Sequence, residues 1–541
     1  MQKNIKLQIW AVVAIVLIWT LAHIPGLIYG IKNLPLHASP IGDEQAPING
    51  AFHILQEKSL LGLRNKATAY YGPLFSVIAI PAVLFDAGLK YVKGEVHNAL
   101  EYKQSLLFDW GMIAFAARCI SVMFSLVLLI ALYYFLKPQG SKGLSFITLS
   151  ALLLISFNYY FFEYSHFFKH WIFMIFALSL EWLSLKYILE GRGKKWWIIH
   201  WGAVTFGVGI SFFSGMSLIM WLPVLVRWIR TKNFDSLKNF ARLTYSIIIS
   251  TILIIWWHPS TFLRYLGTAG VEGVDYHGTA GVQSIFDFSQ TSLPYYSTLI
   301  LLNLLPLLLA IALFFWAGHK EKIYKRIEVW IILLPGIVNF LFFLPPAHHE
   351  GRYMLPTILS LLLLGAFLWV HYRSALRTQL LRVSVYSLLM FYLIFNTAHI
   401  VGWIIAYAQG PLEQKMVAHV LEKSQEGKTN ILLIQHYIAG YPHTKEAYVR
   451  YARDYNKERF NLYQEILSSP LPTDIPLLNA TYMTEKAYRE NSKIIEKYDQ
   501  AVLLEIPRKE LREINQFDYI DENITRIWRY HDLMSTYTYL K

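Results

Sequence analysis

Apolar residues dominate stretches of up to about twenty positions or more, over and over, through the first 410 residues of this chain. The first run is Leu7–Ile31, preceded by Lys3 and Lys6. Later runs cover Phe108–Leu136, Leu144–Phe162, Phe167–Leu189, Trp196–Phe213, Ser217–Ile229, Leu243–Trp257, Tyr296–Trp316, Val329–Leu344, Met354–Val370 and Val383–Ala408. A bilayer is crossed by a helix of ~20 apolar residues, because its backbone satisfies its own hydrogen bonds. The pattern therefore predicts a polytopic α-helical membrane domain of about eleven spans over residues 1–410. Ser217–Ile229 is short for a span and contains Pro223.

Between the first two runs lies a long loop, 32–107. Within it Ala51–Leu63 reads as an amphipathic helix, and Pro73–Leu89 as an apolar segment that either crosses the bilayer or lies in its interface. From Pro411 the pattern turns charged and mixed, which marks a second, extra-membrane domain over 411–541 of ordinary size. Asn430–Gln435 and Ala501–Ile506 read as strands there and Thr444–Tyr455 as a helix, so a small α/β domain is expected.

Composition agrees: 55% of residues are hydrophobic and only 16% charged, against about a quarter charged in soluble domains. The formal net charge of +13 does not point to nucleic acid, since the basic residues sit in short loops between apolar runs. Placing Pro73–Leu89 in the interface puts nearly every basic cluster on one side: Lys137/Lys142, Lys186/Arg192/Lys194/Lys195, Arg227/Arg230/Lys232/Lys238/Arg242, Lys320/Lys322/Lys325/Arg326 and Arg373/Arg377/Arg382. By the positive-inside rule that side is cytoplasmic. The expected topology is a multi-pass protein of the inner (plasma) membrane with its N-terminus inside and its C-terminal domain extracytoplasmic. The first run is too long for a signal-peptide core and no small-residue cleavage site follows, so it is expected to be retained. The single cysteine, Cys119, lies within a run, which rules out an internal disulfide and cysteine-based zinc spacing.

On the outer side this topology gathers Asp43-Glu44, Glu163 with Lys169 and His170, the loop Pro259–Leu293, and His348-His349-Glu350-Gly351-Arg352-Tyr353. Asp43 and Glu44 are adjacent carboxylates where the chain leaves the membrane, a position that is costly without a partner or a role. One reading makes them helix N-capping residues; the other makes one a general base toward an acceptor hydroxyl. A divalent cation held by Asp43 and Glu163 is a further option, although no later outer loop offers an Asp-x-Asp. Arg118, about ten residues into its run, either snorkels outward or faces a polar cavity as a fixed cation for a lipid phosphate. Glu163, Lys169 and His170 are interfacial anchors or site groups. His348 and His349 do not share a helix face, so with Arg352 they suit an anionic headgroup better than a metal. The repeat Gly267–Val271 and Gly278–Val282 lacks the lysine of a phosphate loop and reads as a flap or a connector.

Taken in order, these motifs resemble the membrane glycosyltransferases of the GT-C fold, in the branch of the protein O-mannosyltransferases and lipid A aminoarabinose transferases. The resemblance rests on Asp43-Glu44, Tyr71-Gly72-Pro73-Leu74-Phe75, Arg118, Glu163 and Arg352-Tyr353-Met354-Leu355-Pro356, and covers about the first 370 residues. It implies transfer of a sugar from a polyprenyl-phosphate donor to a lipid, glycan or protein acceptor at the outer face, with inversion. It further implies Asp43 as base with Glu44 beside it. Arg118 and Arg352, with Lys169, would hold the departing phosphate, supported by Glu163, His170, His348, His349 and Tyr71. The missing Asp-x-Asp argues against an oligosaccharyltransferase. The competing classes are a lipid-linked sugar or polysaccharide transporter or ligase, which would show inverted repeats or paired broken helices, and a scaffold that works through its C-terminal domain.

Overall fold

The computed structural model describes residues 13–31, 44–59, 72–108, 110–138, 145–257, 293–344, 351–409, 431–435, 480–484, 491–498, 500–505 and 536–539. In chain order the helices are α1 (Val13–Ile28), α2 (Gln45–Glu57), α3 (Pro73–Val92), α4 (Ala99–Phe108), α5 (Gly111–Leu136), α6 (Phe146–Ser156), α7 (Tyr159–His166), α8 (His170–Leu189) and α9 (Lys195–Ile210). A 3-10 segment, Phe212–Met220, leads to α10 (Trp221–Arg230) and α11 (Phe234–Trp257). After them come α12 (Leu293–Ala317), α13 (Ile327–Phe342), the 3-10 turn Gly351–Met354, α14 (Leu355–Tyr372) and α15 (Gln379–Gln409). Each expected apolar run falls on a helix or a pair of helical segments. Among the described residues the spans are fewer than the about eleven expected, since some apolar runs form helices shorter than a span, such as α1 and α13. Six helices there are long and apolar enough to cross a bilayer, seven if the bent pair α6–α7 is one span, as in a multi-pass helical membrane protein. Their exposed side chains are apolar, as with Met123, Val127 and Ile130 on α5 and Met390, Phe391 and Ile394 on α15, which suits hydrocarbon rather than water.

The run Leu144–Phe162, expected as one span, breaks at Phe157-Asn158 and bends by 74°. Asn158 explains the break. Its side chain accepts the Phe161 N–H at 3.1 Å and so caps α7. Asn396 of α15 accepts the Tyr159 N–H at 3.1 Å, and Asn158 Nδ2 donates to the Tyr392 hydroxyl at 3.0 Å. The freed backbone at the bend is thus satisfied inside the bundle, as the membrane interior requires. Ser217–Ile229 is likewise two pieces, the 3-10 segment and α10. In α13, Pro335 has no N–H for the Ile331 carbonyl; the Trp182 indole of α8 donates to that carbonyl instead, at 3.1 Å.

α5 and α8 run parallel, with α6 and α7 returning between them, which fixes the two ends of the bundle. At one end Lys186 of α8 closes the C-terminus of α5, donating to the carbonyls of Tyr134, Phe135 and Lys137 at 3.1, 2.6 and 2.7 Å. At the other end Arg118 of α5 reaches the carbonyls that finish α1. Since α1 ends where α5 begins, the chain between them makes an even number of crossings. α4 has only 10 residues, ~15 Å of helix, too short for a return crossing. The contacts of α3 agree: Tyr102 of α4 donates to the Val83 carbonyl at 3.1 Å, and Lys90 to Ser105 Oγ at 3.2 Å. The Tyr102 ring lies 6.4 Å from Phe52 of α2. Burial, with the Asp86 carboxylate adding to it, pushes the Tyr102 phenol above its usual range. α3 therefore lies alongside α2 and α4 at the Arg118 end, although its length and apolarity also pass for a span.

Gly72 shows why the Tyr71–Phe75 motif carries a glycine. Its N–H donates to the Ile210 carbonyl at 2.8 Å, and a Cβ there would sit 2.1 Å from the Gly209 carbonyl oxygen. Both neighbours are backbone and cannot turn aside. Gly72→Ala is expected to destabilise the protein by about 1–3 kcal/mol, read as a lower midpoint in thermal unfolding of the detergent-solubilised protein.

In the C-terminal part, β1 (Ile431–Gln435), β2 (Ala480–Thr484), β3 (Gln500–Glu505) and β4 (Thr536–Tyr539) form a sheet of order β2-β1-β3-β4. β1 pairs in parallel with β2 and with β3, and β4 is antiparallel to β3. Parallel neighbours need crossover connections, the signature of an α/β arrangement. Two of the strands match the expected ones; the helix expected at Thr444–Tyr455 and the glycine repeat in 259–293 lie outside the described residues.

Candidate active site

The sequence-predicted residues that the structure describes collect at the Arg118 end of the bundle, around the segment 163–171 that joins α7 to α8. Glu44 occupies the N-cap position of α2, yet its side chain makes no capping bond. It turns instead into the bundle, where it and Arg118 are both fully buried. Arg118 Nε donates to Glu44 Oε1 at 3.0 Å and Nη2 to Oε2 at 2.8 Å, a two-pronged pairing of fork and carboxylate. Nη1 donates to the carbonyls of Tyr29, Gly26 and Leu27 at 2.6, 3.2 and 3.3 Å. Glu44 Oε1 also accepts the Phe168 N–H at 2.9 Å, and the Phe167 ring lies 5.9 Å from the guanidinium carbon.

One ion pair therefore joins α1, α2, α5 and the α7–α8 link, four pieces of chain that are distant in sequence. Six residues form its hydrogen bonds, and the sequence by itself points to two of them, Glu44 and Arg118. In this arrangement the guanidinium is engaged within the protein; it meets a donor phosphate only by exchanging those partners. Arg118 is suited to the task because a planar fork holds two carboxylate oxygens and the ends of a helix at once, which an ammonium cannot do.

Two histidines adjoin this pair. His23 Nδ1 and His166 Nδ1 are 3.1 Å apart, both side chains are buried, and neither Nε2 has a hydrogen-bond partner among the described residues. His23 stacks on Phe162 with 4.2 Å between ring centroids, and a Cβ on Gly26 would sit 2.3 Å from His166, so α1 is drawn tight against α7. His23 interrupts the first apolar run, a signal that a sequence reading can notice but cannot pair with a partner 143 positions away.

Beyond Phe168 the chain leads to the second group. Lys169 is the N-cap of α8 and partly exposed, while His170 is buried at the first turn, 6.2 Å between ring centroids from Phe75 of α3. Trp171 lies 5.3 Å from Tyr353, which itself stacks on Phe343 at 4.7 Å. This stacking places the 3-10 turn that carries Arg352 beside the start of α8. Glu163 is 7% exposed on α7, all of whose residues are buried. The Tyr159 and Tyr160 hydroxyls are buried with no hydrogen-bond partner among the described residues, and a Cβ on Gly351 would lie 2.7 Å from the Tyr160 oxygen. Arg352 and Lys169 are thus the site's cations with some exposure, and Glu163 is an acid one segment away.

Asp43, Tyr71, His348 and His349 lie outside the described residues. Among the described residues no group of three or more His, Cys, Asp or Glu side chains is placed to hold a metal ion.

Searches by sequence match no family model and no curated protein. Solved structures similar to the chain over most of its length include two at 12% identity. One is ArnT from Cupriavidus metallidurans bound to undecaprenyl phosphate, with a TM-score of 0.43 over 93% of this chain and 95% of that one. The other is the archaeal oligosaccharyltransferase AglB from Archaeoglobus fulgidus in complex with an inhibitory peptide and a dolichol-phosphate, with a TM-score of 0.42 over 97% of this chain and 74% of that one.

Proposed function

We propose that this protein is an inverting membrane glycosyltransferase of the GT-C type, which moves a sugar from a polyprenyl-phosphate donor to an acceptor hydroxyl at the outer face of the inner (plasma) membrane. The observation that carries the reading is the buried Glu44–Arg118 pair with the Phe168 N–H on the same carboxylate. It anchors the chain at the residue that follows Asp43, so the base is tethered to a rigid point of the bundle.

In this scheme the Asp43 carboxylate takes the proton of the acceptor hydroxyl as its oxygen attacks the anomeric carbon. The bond from that carbon to the donor phosphate breaks on the opposite face, and the phosphate leaves with the electron pair. Arg352 and Lys169 hold the departing charge, which fixed donors in a partly dry site do well. Glu44 is a positioning residue rather than a second base, because both its oxygens already accept hydrogen bonds. Arg118 acts through it. The 1–410 region carries the chemistry, and the sheet-containing tail stands on the outer side, with acceptor handling as its role.

The experiment is transfer of radiolabelled sugar by purified protein from a panel of polyprenyl-phosphate sugars, with the anomeric configuration of the product determined. Inverted product supports the scheme and retained configuration sinks it. Arg352→Ala is expected to weaken polyprenyl-phosphate binding about tenfold or more, the worth of one charge-assisted hydrogen bond. Unchanged binding would remove Arg352 from the phosphate site.

A further inference from the structure

Midway along α8, three turns of helix or ~16 Å from His170, Glu181 is fully buried and neither carboxylate oxygen has a hydrogen-bond partner among the described residues. No ion pair among the described residues includes it. The polar groups around it are already satisfied by one another. Trp221 Nε1 donates to His200 Nε2 at 2.8 Å. An indole N–H only donates, so Nε2 carries no proton and Nδ1 carries it. His200 Nδ1 then donates to Ser184 Oγ at 3.0 Å, and Ser184 donates to the Leu180 carbonyl at 2.7 Å. That chain is closed and offers Glu181 no donor.

Facing Glu181 is the 3-10 segment Phe212–Met220, a nine-residue run where such helices rarely exceed three or four. The Ser217 hydroxyl on that segment lies near the carboxylate without reaching hydrogen-bond geometry, and it too lacks a partner. Two unpartnered polar groups thus face each other across a broken span in the membrane interior. A bare carboxylate is not stable there; it needs a positive partner. The described protein supplies none.

We propose that Glu181, with the Ser217 hydroxyl opposite, is a binding site for one small monovalent cation, a proton or a sodium ion, within the membrane domain. Both occupants neutralise a single carboxylate and use a hydroxyl as a second ligand. A divalent ion would leave a net charge in the same apolar surroundings. The site is separate from the Arg118 end and does not depend on the transferase reading.

The test is labelling of the full-length protein by dicyclohexylcarbodiimide, which reacts with protonated carboxyl groups in apolar surroundings and leaves a stable N-acylurea. Labelling is run at one pH in choline chloride and in sodium chloride, and read by mass spectrometry of the peptide containing Glu181, with Glu181→Gln as the control. Equal adduct in the two salts, absent from the control, identifies a proton. Adduct in choline that sodium suppresses several-fold identifies sodium. No adduct at Glu181 in either salt overturns the proposal.

Discussion

Arg118→Ala is expected to cost about 3–5 kcal/mol of stability, the usual effect of removing one member of a buried ion pair. The large value follows from what is left behind. Glu44 would keep its charge, fully buried, with only the Phe168 N–H to hold it, and the carbonyls of Gly26, Leu27 and Tyr29 would lose their donor. Arg118→Lys keeps the charge but not the fork, so it should recover only part of the loss. The diagnostic variant is the double one. If the pair is coupled as its geometry says, Arg118→Ala with Glu44→Gln unfolds less readily than Arg118→Ala alone, because no stranded charge remains. Thermal unfolding in detergent reads the full cycle of parent, Arg118→Ala, Glu44→Gln and the double variant, with Arg118→Lys beside it. Additive losses would mean that Arg118 serves something other than Glu44.

Asp43→Asn is expected to lower the transfer rate by about 10²–10⁴-fold, the span of a general base, while donor binding stays as in the parent. Asparagine has the shape of aspartate but takes no proton, so the acceptor hydroxyl would attack without help. The two variants are meant to fail differently: Arg118→Ala through the folded fraction, Asp43→Asn through the chemical step in a protein that melts normally. Single-turnover transfer from a polyprenyl-phosphate sugar, with donor binding measured beside it, separates the two. Transfer at the parent rate by Asp43→Asn would falsify the proposed mechanism outright.

Glu44 and Arg118 were both recognisable in the sequence as charges out of place, one at a membrane exit and one inside an apolar run. Their relation was not. The N-capping reading of Glu44 was reasonable from its position before α2, and the structure indeed puts it at the N-cap. Its side chain turns away because a guanidinium offers two strong hydrogen bonds where the backbone offers one. Arg118, in turn, was legible as a cation in need of a partner. Whether that partner was lipid phosphate or protein carboxylate depended on a contact across 74 positions. Glu181 and His23 were also visible as polar residues inside apolar runs, yet such residues are common enough that only burial and unpartnered atoms single them out.

Hydrophobic periodicity and loop charge settled the membrane class, the placement of the helices and the change of character after Pro411. Those properties depend on transfer of each segment between water and hydrocarbon, which is a sum over local residues. They also favoured an interfacial Pro73–Leu89, and the contacts of α3 with α2 and α4 support that placement. The bend at Asn158, the closing of α1 against α7 and the gathering of Glu44, Arg118 and Phe168 were decided only by tertiary structure. Each depends on a hydrogen bond or close packing between residues far apart in the chain, and such pairings leave no periodic trace in the sequence that encodes them.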